Sequence, residues 1–163
     1  QVLDAIASYL SIFEGPQWKE RVQAMRRSAL NAMEFFAPFR PCLVGSVLYG
    51  TATEYCAIAL HVFADEFESV SRHLIAANIH YRIDERTLRV SRNEEQEFSL
   101  FSVTMGVWDY EIVVMPTIYR TKIPLSPLDG KIYLRADKER LEEIIDSNAM
   151  FKVASTTLIN EVT

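Results

Sequence analysis

Residues 44–63 read Val-Gly-Ser-Val-Leu-Tyr-Gly-Thr-Ala-Thr-Glu-Tyr-Cys-Ala-Ile-Ala-Leu-His-Val-Phe, and the fold turns on how that stretch divides. The apolar lead-in from Cys42 to Leu48 predicts a strand that enters a turn at Gly45-Ser46. Cys56 to Ala64 predicts the next strand. Side chains along a strand alternate between its two faces. Ile58, Leu60 and Val62 therefore share one face, and Ala57, Ala59 and His61 share the other. The first set is wholly apolar and belongs against a core. The second is small or polar and belongs on the opposite side.

Upstream, residues 2–13 have the pattern of a short helix and 17–37 that of a longer one. In the longer one Trp18, Val22, Met25, Ala29, Met33 and Phe36 recur at three- and four-residue steps, which puts them on one face as a core stripe. Pro38 and Pro41 end it. Downstream, Asp65 with Glu68 reads as a capping pair for a helix whose inner face carries Phe67, Val70, Leu74 and Ala77. Ile79, Tyr81 and Ile83 alternate, as do Leu88 and Val90. The polar segment Asp84-Glu85-Arg86-Thr87 between them predicts a hairpin turn. Phe98 to Met105 and Val107 to Met115 predict two further strands around a turn at Gly106, and Pro124 to Gly130 a loop. Asp137 to Asn148 predicts a charged helix with Leu141, Ile144 and Ile145 inward, whereas 151–163 fits strand and helix equally. This order implies one α+β domain over 1–163 with a mixed or mostly antiparallel sheet. Its parts are N-terminal helices over 1–38, a core over 40–136, and a C-terminal helix and tail over 137–163.

A length of 163 residues suits one domain, and 49% hydrophobic residues suffice for a core. No apolar run reaches the length of a membrane-spanning helix, and the start shows no signal-peptide pattern. The chain opens on Gln1, which reads as a trimmed start. With 22 acidic against 17 basic residues the net charge is −5, which argues against a large nucleic-acid surface but leaves room for a local basic pocket. Cys42 and Cys56 read as two buried thiols on neighbouring strands in a reducing cytoplasm, ahead of a disulfide or a metal pair.

The frame of residues 44–63 resembles the active-site segment of the nucleotidyltransferase superfamily, the group that includes DNA polymerase beta and the minimal nucleotidyltransferases. There, Gly-Ser ends one strand and an Asp-x-Asp or Asp-x-Glu lies about ten residues on. Here Gly45 and Ser46 are present, as is the Gly50-Thr51 that commonly follows, but the two metal-binding positions are Ala57 and Ala59. The stretch from Pro41 to about Ala136 is similar to small stand-alone nucleotidyltransferase-like proteins of bacterial branches. The resemblance implies transfer of a nucleotidyl group from a nucleoside triphosphate to an acceptor hydroxyl. Gly45, Ser46, Gly50 and Thr51 would hold the phosphates, and Glu111 on a later strand would be the third metal ligand. Tyr49 departs from the basic residue that many relatives carry.

Two carboxylates two residues apart point the same way from a strand and can share a pair of Mg²⁺ ions. One ion activates the attacking oxygen and the other steadies the leaving pyrophosphate. Alanine offers no ligand, so Mg²⁺ is expected to be held weakly or not at all and the transfer step to fail. Clean replacement of both acids in an intact frame reads first as a deliberate inactivation. The second reading is a natural pseudoenzyme that binds a nucleotide or a partner, and the third is a chance likeness. Glu111 is read as a third ligand ahead of a carboxylate at a sheet edge, solvated or paired with an arginine. His61 is read as a hydrogen-bonded strand residue ahead of a weak ligand. Arg135, after the 124–131 loop, reads equally as a phosphate contact and as ordinary surface charge. The acceptor and the base are left open, and a homodimer is compatible with the small size.

Overall fold

The computed structural model describes residues 5–6 and 16–147. The helix expected over 2–13 is outside that range save for Ala5 and Ile6, and the tail over 151–163 is wholly outside it. The first full element is helix α1 (Pro16–Phe35), opened by a proline whose missing N–H costs nothing at a helix start. Its stripe of Trp18, Val22, Met25, Ala29 and Met33 is buried as expected. A short 3₁₀ turn (Ala37–Phe39) closes it, with Arg40 in the left-handed region. Then follow strand β1 (Cys42–Val44), the one-turn helix α2 (Ser46–Tyr49) and strand β2 (Ile58–Phe63). Helix α3 (Phe67–Ala76), the strands β3 (Tyr81–Ser91), β4 (Glu94–Met105) and β5 (Trp108–Met115), and helix α4 (Lys138–Asp146) complete the order.

The five strands form one mixed sheet in the order β1-β2-β5-β4-β3. β2 and β5 run parallel at its centre, and every other pairing is antiparallel. On one face Ile58, Leu60 and Val62 of β2 and Tyr110, Ile112 and Val114 of β5 pack with α1, α3 and α4 in the main core. On the other face Phe63, Val113, Met115, Leu100, Phe98, Leu88 and Val90 form a second apolar layer, with Tyr119 and Tyr133 packed against it. The fold is thus α+β, a mixed sheet flanked by helices, as expected. No helix of the described residues is long and apolar enough to cross a membrane.

Several expected elements differ. The strand expected over 42–48 stops at Val44, because Gly45 takes φ 77° and ψ −155° and the next four residues coil into α2. Cys56 precedes β2 rather than lying in it, bonded to Thr53 in the turn. Asp65 does not cap α3; its carboxylate accepts from the Thr117 backbone N–H and hydroxyl, and Glu66 holds the N-cap position without a side-chain bond. Of the expected inner face of α3, Val70 and Leu74 are buried, but Phe67 and Ala77 are exposed. The hairpin expected at 84–87 is instead one continuous eleven-residue strand, β3, and its turn falls at Arg92-Asn93. The apolar alternation changes parity along β3 because its first half packs Tyr81 onto Phe101 under the helices. Its second half turns Leu88 and Val90 into the opposite layer.

Candidate functional site

Gly45 sits between β1 and α2 in a backbone region that is essentially restricted to glycine. A β-carbon built there would lie 3.6 Å from that of Ala59, so the Gly45-Ser46 turn lies directly over β2. The turn is held from behind by α1. The Trp18 indole donates to the Gly50 carbonyl at 3.0 Å, and Arg21 to that of Ala52 at 3.1 Å. The fully buried Arg26 guanidinium donates to the carbonyls of Val47 (3.0 Å) and Leu48 (2.6 Å). Carbonyls at a helix C-terminus have no partner within the helix, and here the α1 side chains supply one. Burial lowers the Arg26 pKa to about 10, still leaving the guanidinium charged at neutral pH. Gly50 and Thr51 are buried at the far end of α2, where the Gly50 and Thr51 N–H groups return to the Ser46 carbonyl. They shape the turn from inside, whereas Gly45, Ser46, Ala57 and Ala59 are half-buried on its open side.

The parallel β2–β5 ladder sets Ala59 directly beside Glu111. Residues in register on neighbouring strands share a face, so Ala57, Ala59 and Glu111 lie on the same side of the sheet. Glu111 is central in the sheet rather than at an edge, half-exposed, and its Oε2 accepts from the Arg86 guanidinium at 2.8 Å. Ala57 and Glu111 line an open cleft of about 770 Å³, together with Arg82, Asp109, Tyr81 and Tyr110. Asp109 in turn accepts from the Thr104 hydroxyl at 2.6 Å.

His61, on the same face as Ala59, is not in the cleft. It is 1% exposed, edge-on to Tyr133 at 4.4 Å between centroids, and its Nδ1 accepts from Arg135 at 3.1 Å. Burial first, then the charges of Arg135 and Arg86, hold its pKa well below the usual value, so the ring is neutral. Arg135 is committed as well, donating to the Tyr119 carbonyl at 2.7 Å and lying over the Phe63 ring at 4.9 Å, so it pins the 117–135 segment onto the second layer. At Cys56 burial raises the thiol pKa, but bonds from Thr53 and Ser46 and the charge of Arg21 outweigh it and lower the value.

A magnesium site needs several hard oxygen ligands. Here the carboxylates of the cleft are Glu111, already bonded to Arg86, and Asp109, already bonded to Thr104, and no group of three His, Cys, Asp or Glu among the described residues is placed to hold a metal. The residues present do not fit that ion. The sequence reading missed Arg86, hidden in what reads as a polar turn, and Arg26. The one signal for Arg26 is that a charged residue stands beside Met25 within the apolar stripe.

No family model and no curated protein matches the chain. A solved structure of Cid1 in complex with its short product ApU is similar at 17% identity with a TM-score of 0.37, over 58% of this chain and 31% of that chain. At that identity and score the likeness bears on neither substrate nor chemistry.

Proposed function

We propose that this chain is a nucleotidyltransferase-like domain that binds the phosphates of a nucleoside triphosphate without a metal ion and does not transfer the nucleotidyl group. The observation that carries this reading is the Gly45-Ser46 turn seated over Ala59, with Glu111 in register beside it. That is the arrangement the resemblance calls for, minus two carboxylates. Glycine lets a phosphate approach the backbone closely, and the N–H groups of the turn with the Ser46 hydroxyl are suitable donors. Gly50 and Thr51, being buried, serve by fixing the shape of the turn.

Transfer would require the acceptor hydroxyl to be activated and the pyrophosphate to be steadied as it leaves. Ala57 and Ala59 offer no oxygen for a cation that would do either. The Arg86 guanidinium supports a metal-free site over a metal site with its ligands deleted, because it already balances the remaining carboxylate at 2.8 Å.

Calorimetric titration with nucleoside triphosphates in EDTA and in Mg²⁺ tests the reading, paired with transfer of label from α-labelled triphosphates into a cell extract. The expected result is equal affinity with and without Mg²⁺, and no transfer by this chain or by its Ala57→Asp/Ala59→Asp variant. Transfer by the folded variant alone would make the chain an inactivated transferase and overturn the metal-free reading. Absence of binding in any condition would overturn the nucleotide reading itself.

A further inference from the structure

The two edges of the sheet are treated differently. The β1 edge is covered, since Leu43 exchanges both backbone bonds with Ala136 (2.8 and 3.0 Å). Among the described residues the β3 edge is covered only at its end, where the Arg89 carbonyl accepts from the Leu125 N–H at 2.7 Å. That bond also fixes which way the edge faces. The Arg89 carbonyl points away from β4, and backbone direction alternates along a strand, so the N–H and C=O groups of Tyr81, Ile83, Glu85 and Thr87 point outward too. The β3–β4 register is unbroken from Tyr81 to Arg89. Among the described residues nothing pairs with those outward groups. Ile83 is 44% exposed in the middle of this segment. A long open edge with a central exposed isoleucine is a template for another strand.

We propose that this edge is a dimer interface, with β3 pairing antiparallel to β3 of a second copy about a two-fold axis through Ile83. The charge pattern selects the register. Centred on Ile83, Arg82 of each copy faces Asp84 of the other, twice by symmetry, and the two Ile83 side chains cover each other. Those charged positions are the non-hydrogen-bonded pairs, where cross-strand side chains lie closest. A register centred on Asp84 would set Asp84 against itself and Arg82 against Arg86. Centres on Arg82 or Arg86 would likewise set two arginines together. A centre on Glu85 would oppose two glutamates and draw on Arg86, which Glu111 holds at 2.8 Å in a half-buried pair. The bond between Arg82 and Asp84 within one strand is longer, 3.3 Å, and solvent-exposed, so both groups are able to turn to the second copy. A self-complementary patch of this kind closes as a dimer and does not propagate. In the dimer the ten-stranded sheet is continuous, and the two clefts that Arg82 lines lie on either side of the axis. The inference stands on the edge alone and is independent of what the cleft binds.

Sedimentation velocity over a concentration series tests it, with Arg82→Asp, Asp84→Arg and the double variant. The Arg82 and Asp84 side chains are 78% and 55% exposed, so these changes spare the fold, and circular dichroism checks that they do. The expected result is a dimer whose dissociation constant rises about tenfold or more in each single variant and returns in the double variant. Ile83→Lys is expected to give a monomer. A wild-type chain that is monomeric at every concentration, or a dimer indifferent to the single reversals, would overturn the proposal.

Discussion

At Gly45 the backbone lies at φ 77° and ψ −155°, a conformation that any side chain would strain even though a β-carbon there finds room at 3.6 Å from Ala59. Gly45→Ala is therefore expected to lower stability by about 1–3 kcal/mol through backbone strain and not through a clash. A urea titration measures the loss, and a calorimetric titration is expected to show weakened nucleotide binding as the turn shifts. His61 makes a second prediction. Its folded pKa is depressed well below 6.5, chiefly by burial. Above about pH 6.5 the ring is neutral in both folded and unfolded chains and contributes no pH dependence. Below that, the unfolded chain takes up a proton that the folded chain refuses, so stability falls as pH falls, by up to about 1.4 kcal/mol per pH unit. Urea midpoints across pH 7.5 to 5 check this, and His61→Gln is expected to flatten the slope. That Ala57 and Ala59 share a face was legible from strand alternation, a local pattern, whereas Glu111 was reached only through the family resemblance. The Arg86 partner was not legible, since two residues 25 apart meet only through the pairing of β4 between their strands.

At the scale of elements, α2 has a single turn and cannot stand by itself, because a one-turn helix leaves most of its backbone groups unpaired. Its stability comes from α1, whose Arg26 spans the Val47 and Leu48 carbonyls. Arg26→Met removes both bonds and leaves buried carbonyls bare, so a loss of about 3 kcal/mol or more is expected in chemical denaturation. Arg26→Lys is expected to recover little, since an ammonium lacks the fork that reaches two acceptors. The same variants are expected to speed hydrogen exchange at Ser46 to Gly50 ahead of the sheet. Helices α1 and α4 were readable from their apolar period; the structure adds that Asp137 caps α4 by accepting from the Arg140 N–H. Strand β3 was misread as a hairpin because its apolar alternation switches phase, and a phase switch in one strand looks locally like a turn.

For the whole molecule, β5 contributes alternate residues to both apolar layers, Ile112 and Val114 to one and Val113 and Met115 to the other. Neither layer can lose its packing without disturbing the strand that both share. A single cooperative transition is therefore expected, with near- and far-ultraviolet circular dichroism coincident in urea. Leu60→Ala, in the helix-side layer, and Phe98→Ala, in the other, are expected to shift that one midpoint by about 2–5 kcal/mol each without separating the two signals.

The sequence by itself determined the α+β class, the α1 stripe, the faces of β2 and the absence of carboxylates at positions 57 and 59. Each of these follows from side-chain identity and a short period along the chain. Only the tertiary structure decided that β2 and β5 run parallel, that Glu111 is answered by Arg86, that the buried His61 is held by a half-buried Arg135, and that among the described residues one edge of the sheet is closed while the other is open. Those outcomes depend on which distant segments meet. Strand order and register are set by the packing of two apolar layers at once, and no local window of residues contains that information.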